Sequence, residues 1–126
     1  MYMTRPEEVR PAPLPIEGAQ GTTFRVLIGP EQGAPHFAMR HFTVDPGGHT
    51  PLHQHPYEHE IVVQAGKGLV RCGDTYRGIR AGDAIFLPPG KLHQIRNTGT
   101  DPLEFICLVP VQFDCGDGSC QKTPGT

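Results

Sequence analysis

Two stretches decide the fold: GGHTPLHQHPYEHEIVVQAG, residues 47–66, and GDAIFLPPGKLHQIRN, residues 82–97. Between them they contain five histidines, and four of these, His53, His55, His59 and His93, have a spacing that suits a shared ion. Residues two apart on an extended strand point to the same side, so His53 and His55 can share one ion. A sheet that closes into a barrel can bring His93 opposite this pair. The pattern predicts a single divalent metal ion held by the four histidines inside a β-barrel.

Two residues compete for the position of the ligand that follows His55. His59 has the correct strand parity, because residues 53, 55 and 59 are all odd and alternate residues of a strand face opposite ways. Pro56 can introduce a bulge that reverses this parity, and Glu60 would then point to the ion. We favour His59 and keep Glu60 as the alternative.

The spacing of both stretches resembles the two motifs of the cupin superfamily. The first motif reads Gly47, five residues, His53, one residue, His55, three residues, a ligand, six residues and Gly66, and His59 satisfies both counts around the ligand. The second reads Gly82, five residues, Pro88, one residue, Gly90, two residues, His93, three residues and Asn97. More narrowly, residues 25–29, 42–48 and 55–60 resemble small single-domain bacterial cupins that bind manganese at an all-histidine site.

This resemblance implies an all-β fold, the cupin jelly-roll barrel, with one divalent transition metal ion as cofactor. Only the resemblance favours manganese, because imidazole ligands also suit Fe, Ni, Cu and Zn. By the same resemblance the pocket walls would include Arg40, Phe42, Phe105 and Cys107. The candidates for catalytic groups close to the ion are Arg40, Tyr57 and Glu60.

Apolar and β-branched runs alternate with turn signals along the chain, which predicts strands at residues 24–28, 37–44, 60–64, 69–72, 75–79, 84–87, 92–97 and 103–109. Strands without intervening helices favour antiparallel pairing. Residues 45–48 (DPGG) predict a reverse turn, and Gly73-Asp74 predicts a two-residue hairpin loop. We expect an extended, proline-rich arm over residues 1–21, either loose or crossing to a neighbouring subunit, the barrel over 22–113 and a tail over 114–126.

Size and charge restrict the possible partners. A chain of 126 residues fits one domain, and a net charge of -2 with scattered basic residues argues against nucleic acid. No apolar run approaches the roughly 20 residues that span a bilayer, so we expect a cytoplasmic protein without a membrane partner. Exposed sheet edges favour a homodimer.

Cys115 and Cys120 are either free thiols or a small disulfide.

An open coordination position beside four neutral imidazoles favours an anionic oxygen ligand. The leading hypothesis is a metal-dependent oxidoreductase of dioxygenase type that acts on a small oxygenated or anionic substrate. The first alternative is a non-catalytic module that binds a small carboxylate or sugar. The second is metal-assisted isomerisation of a sugar or keto acid, which needs a general base near the ion.

Overall fold

The computed structural model describes residues 1–113, and within this range the chain is almost entirely strand and turn. The strands are β1 (Ala12–Pro13), β2 (Gln20–Ile28), β3 (Phe37–His49), β4 (His59–Ala65), β5 (Lys67–Cys72), β6 (Thr75–Arg80), β7 (Ala84–Leu87), β8 (His93–Asn97) and β9 (Leu103–Pro110). Short 3-10 turns occupy Pro6–Glu8, Pro30–Gln32 and Val111–Phe113. Every predicted strand overlaps an observed one, which confirms the all-β prediction. The predicted tail, with Cys115 and Cys120, lies outside the described residues.

All strand pairings are antiparallel, and the sheet runs in the order β6, β5, β8, β3, β9, β4, β7, with β2 added to β3 and β1 added to β2. Alternate residues of the central strands are buried, as expected for a sheet with one face on a core. The most deeply buried apolar side chains include Val44, Val63, Leu103 and Val109. The sheet therefore curls around a single core, in agreement with the predicted jelly roll. Among residues 1–113, no helix has the length and apolar character required to cross a bilayer.

The reverse turn predicted at residues 45–48 is wrong, because β3 continues through this segment to His49. The pairing of Thr22 with Val44 is followed by that of Gln20 with His49, so β3 advances five residues while β2 advances two. The turn residues form a bulge within the strand. A bulged β3 is long enough to pair with β8 at His49 and to lead into the first histidine segment.

The hairpin predicted at Gly73-Asp74 is confirmed, since Cys72 pairs with Thr75 across it and Gly73 has φ of 60°. The connection from β8 to β9 depends on Asn97, which is 4% exposed. Its side-chain amide donates to the carbonyls of Val44 and Asp101, both at 2.8 Å, and its oxygen accepts from the Gly99 amide at 2.8 Å. This explains why the second motif ends on asparagine.

The N-terminal arm packs against its own barrel. Ala12 pairs with Phe24 of β2, and the Leu14 amide donates to the Thr22 carbonyl at 3.1 Å. Leu14 is only 8% exposed. Further upstream, Arg25 donates from Nε to the Val9 carbonyl at 2.8 Å. In this single chain the arm therefore runs along β2, and Leu14 contributes to the interior.

Candidate metal centre

Backbone hydrogen bonds join the two histidine stretches. The amide of His53 donates to the carbonyl of His93 at 3.1 Å, and the reverse bond is 2.8 Å. The Gly90 amide donates to the His55 carbonyl at 2.6 Å. Our expectation that His53 and His55 lie on a regular strand is wrong, since only an isolated bridge at His53 occurs between β3 and β4. The two rings are nevertheless adjacent, with centroids 4.0 Å apart.

His53, His55 and His93 form a triad that could bind a metal. Their candidate ligand nitrogens all lie within 4.8 Å of one another, and the Nε2 atoms of His53 and His55 are 3.1 Å apart. Nδ1 of His93 lies 3.0 Å from the Lys91 carbonyl. Because a carbonyl can only accept, that nitrogen carries the proton, which leaves Nε2 of His93 free as a ligand.

His59 adds a fourth ring to this cluster. It opens β4, is 6% exposed, and its ring centroid lies 5.3 Å from that of His55 and 5.0 Å from that of His93. Its Nδ1 is 3.2 Å from Sγ of Cys107, whereas its Nε2 is buried without a hydrogen-bond partner. A buried polar atom left unpaired is costly, and a bound cation would satisfy it.

Side chains of β4 alternate between the two faces of the sheet, and this alternation distinguishes His59 from Glu60. His59, Ile61 and Val63 are buried, whereas Glu60 is exposed. The structure therefore does not bring Glu60 to the cluster, either as the alternative ligand or as the catalytic group we expected. Pro56 does not change which residues of β4 face inward, because it precedes the strand and the alternation of buried and exposed residues begins at His59.

The histidines are neutral at ordinary pH. Burial, followed by repulsion from the neighbouring His55 and His93, lowers the pKa of His53 from 6.5 to about 3. Burial also lowers the pKa of His55 to about 4, and it holds the pKa values of His59 and His93 below their usual value. Metal ligation requires unprotonated imidazole, so the cluster presents its nitrogens in the form that binds cations.

The cavity beside the histidines is lined by the four expected wall residues and by Tyr57, which was expected as a catalytic group. Arg40, Phe42, Phe105, Cys107 and Tyr57 are between 2% and 5% exposed and surround the same cavity as the histidines. The phenyl rings of Phe42 and Phe105 stack with centroids 5.1 Å apart, and Tyr57 stacks on His55 at 4.5 Å. Burial raises the pKa of Tyr57 to about 12, so its phenol remains protonated.

Sequence reasoning missed the contribution of the arm to this cavity. Leu14 and Ile16 form part of its wall, although both lie outside the predicted barrel. The only signal was the pair of apolar residues flanking Pro15 in an otherwise polar and proline-rich segment. The remaining missed wall residues are Thr50, Pro51, Ile61, Leu87 and Ile95. None of the described wall residues is an aspartate or a glutamate.

Comparison with known proteins finds relatives and solved structures that share this fold. One curated relative is the 1-methylthio-D-xylulose 5-phosphate methylsulfurylase of Rhodospirillum rubrum, which is 30% identical over 60% of this chain and 49% of the relative. Another is the oxalate-binding protein of Thermotoga maritima, which is 37% identical over 51% of this chain and 54% of the relative. The chain thus spans about half the length of these curated relatives. Among solved structures, the polyketide cyclase RemF of Streptomyces resistomycificus has a TM-score of 0.83 and 32% identity, covering 88% of this chain and 80% of RemF.

The model of the cupin domain family matches residues 40–109, a span that contains all four histidines of the cluster and the wall residues from β3 and β9. That span is more than half of the 126-residue sequence. The protein therefore belongs to the cupin family.

Proposed function

We propose that His53, His55, His59 and His93 hold one divalent transition metal ion. The observation that carries this proposal is the convergence of four neutral imidazoles in a cavity whose described walls contain no carboxylate. The unpaired buried Nε2 of His59 fits a cation better than it fits an apolar core. Manganese is favoured by the family resemblance, with Fe, Ni, Cu and Zn as the other ions that imidazole suits.

Metal analysis of protein purified without an affinity tag tests this proposal. We expect about one ion per chain, and we expect His93→Ala to bind metal at least about tenfold more weakly, because it removes one ligand. His36→Ala is the matched control, since His36 is exposed and is not a member of the histidine cluster. Undiminished metal binding by His93→Ala, or a wild-type chain that takes up no ion from any of the five metals, would refute the site.

We further propose that the site belongs to an oxidoreductase of dioxygenase type acting on a small oxygenated substrate. When bound, the ion would supply Lewis acidity and positions for oxygen ligands. The chain supplies apolar walls that exclude water, including Ile61 and Ile95. It offers no carboxylate base among the described walls, and Tyr57 stays protonated. A substrate that ionises easily by itself, such as a β-dicarbonyl or a catechol, fits such a cavity.

A second candidate is oxygen-independent enolate chemistry, as in an isomerase or a cyclase. It is favoured by the likeness to RemF, a polyketide cyclase. This reading requires a proton acceptor that the described residues do not provide, which places it second. A third outcome, a binding module without turnover, is consistent with the likeness to an oxalate-binding protein.

One experiment separates these candidates. Metal-loaded protein is incubated with β-dicarbonyl, catechol and hydroxyketone substrates, under air containing isotopically heavy dioxygen and under nitrogen. A dioxygenase consumes one dioxygen per substrate and places both oxygen atoms in the product. Product formation under nitrogen would select the isomerase or cyclase class. Binding without product in either atmosphere would select the binding module and overturn the enzyme proposal.

We also propose a homodimer formed through the outer face of the sheet. Val62 and Phe86 are 41% and 59% exposed, and Met39, Ile106 and Leu108 lie beside them on the same surface. An apolar sheet face of this kind is typical of a surface that a second copy covers. We expect Val62→Lys to convert a dimer into a monomer in light scattering, and a wild-type monomer would refute the proposal. The cytoplasmic location stays a prediction.

A further inference from the structure

We propose that Arg40 is the docking site for a carboxylate of the substrate, so that the substrate is a small acid with an oxygen-bearing group at each end. One end binds Arg40, and the other lies at the histidine cluster. The second half of this inference rests on the metal proposed above, whereas the first half concerns the arginine alone.

Within residues 1–113, the buried guanidinium of Arg40 has no anionic partner. The residue is 4% exposed, its Nε has no hydrogen-bond partner, and its Nη2 lies 3.7 Å from Sγ of Cys107. Its Cζ lies 5.1 Å from the ring centroid of Phe42. A buried charge that is neither paired nor fully hydrogen-bonded is strongly unfavourable, so the folded chain alone does not explain this residue.

No described carboxylate neutralises Arg40. The ion pairs among residues 1–113 join Arg5 with Glu8 and His41 with Glu104, and neither involves Arg40. Glu60 is exposed on the other face of β4. The planar fork of a guanidinium matches the two oxygens of a carboxylate, and such a bidentate pair is among the strong charged hydrogen bonds. A ligand carboxylate would supply the missing partner.

Arg40 and the histidine cluster are within reach of one small molecule. Cys107 contacts both the arginine and the histidine cluster, because its Sγ lies 3.7 Å from Nη2 of Arg40 and 3.2 Å from Nδ1 of His59. Arg40 and all four histidines border the same cavity. The arginine and a metal ion would together place several positive charges there, with no described acidic side chain to offset them.

The other residues of the cavity wall indicate what kind of group connects the two ends of the substrate. Apart from Arg40 and the histidines, the walls of this cavity are mostly aromatic or aliphatic, with Phe42, Phe105 and Ile61 among them. Such walls favour an apolar or conjugated connection over a hydroxylated one. The class is therefore a carboxylic acid that also carries a keto, enol or phenol oxygen, and not a neutral sugar.

Two probes that share one metal-binding group test the inference in the zinc-loaded protein. Acetylacetone is a β-diketone, and succinylacetone is the same β-diketone with an added carboxylate. We expect the wild type to bind succinylacetone at least about tenfold more tightly by calorimetry, because only this probe can pair with Arg40. Arg40→Met should abolish the preference while leaving the affinity for acetylacetone and the metal content unchanged. Equal affinities in the wild type, or a preference that survives in Arg40→Met, would overturn the proposal.

Two further variants sharpen the comparison. Arg40→Lys keeps the charge without the fork, and we expect a reduced preference. Arg71→Met is the matched control, because Arg71 stacks on Tyr76 at 5.4 Å and does not line the cavity. Its preference should equal that of the wild type. Arg40→Met should also unfold at no lower temperature, since it removes an unpaired buried charge. Marked destabilisation would indicate a structural role and count against the proposal.

Metal-free protein distinguishes failure of this inference from failure of the metal site. Benzoate and its uncharged analogue benzamide are titrated into metal-free wild type and Arg40→Met, followed by nuclear magnetic resonance. We expect the resonances of cavity residues to shift only with benzoate and only in the wild type. That result supports the carboxylate site even for a chain that holds no metal. Identical shifts in the two proteins would refute it, whatever the metal analysis gives.

Discussion

The histidine cluster makes the metal-free protein sensitive to mild acid. Burial lowers the pKa of His53 to about 3 and that of His55 to about 4, whereas both would titrate near 6.5 in the unfolded chain. Between these values the unfolded state binds protons that the folded state does not. Their contribution to stability is therefore complete above pH 6.5 and is lost progressively as the pH falls toward the folded pKa values.

The loss can be worked out for a fall from pH 7.5 to pH 5.5. At pH 5.5 a histidine with a pKa of 6.5 is about nine-tenths protonated when unfolded, which costs the fold about 1.3 kcal/mol. Since His53 is only half-buried, we expect about 2 kcal/mol from this histidine and His55 together. His59 and His93 shift in the same direction and add to the loss.

Urea denaturation of metal-free protein at the two pH values measures this loss. For a small domain we expect the midpoint at pH 5.5 to fall by roughly 1 M or more relative to pH 7.5. A double variant, His53→Gln with His55→Gln, removes both titrating groups and should lose distinctly less stability over the same interval. Equal midpoints for the wild type at the two pH values would show that the rings are not held neutral by the fold, and the reasoning would fail.

Three further predictions concern single positions. Gly68→Ala should destabilise the fold by about 3 kcal/mol in urea denaturation, because its Cβ would collide with the carbonyl of Arg96, and a loss under 1 kcal/mol would contradict this packing. Asn97→Ala should cost about 2 kcal/mol or more through its unpaired backbone partners, and a neutral effect on the thermal midpoint would exclude that role. Cys107→Ala should weaken metal binding about tenfold, because it releases Nδ1 of His59, and Cys107→Ser should restore most of the affinity. Equal metal dissociation constants for the wild type and Cys107→Ala would refute the contact.

The local sequence was enough to predict the strands, whereas the grouping of the four histidines was predicted from two separated motifs that resemble those of the cupin family. Strand alternation in residues 59–65 places His59 inward, and the spacing of the second motif places His93 on the strand that pairs with β5. The inward position of His59 follows from a period of two, so it needs no knowledge of distant contacts. The stacking of Phe42 on Phe105 depends on the pairing of β3 with β9, in which the two residues are register partners, and the sequence offered them as wall residues only through the family resemblance.

Features that depend on distant contacts were not predictable. The segment 45–48 has the composition of a turn, yet pairing with β2 on one side and β8 on the other keeps it in a bulged strand. His53 and His55 meet through hydrogen bonds to residues in the second motif, and not through strand geometry of their own. The loss of Glu60 as a candidate has a similar origin, since the pairing of β4 with β7 and β9 fixes which face is covered.

Leu14 and Ile16 place part of the cavity wall outside the segment that holds the histidine cluster. The four candidate ligands lie in the segment that the family model matches, whereas these two wall residues lie upstream of it. Substitutions in the leading segment can therefore change the volume of the cavity while leaving the imidazoles untouched. Exchanging residues 10–18 with the matching segment of a relative offers a direct way to alter which small molecules fit inside the barrel.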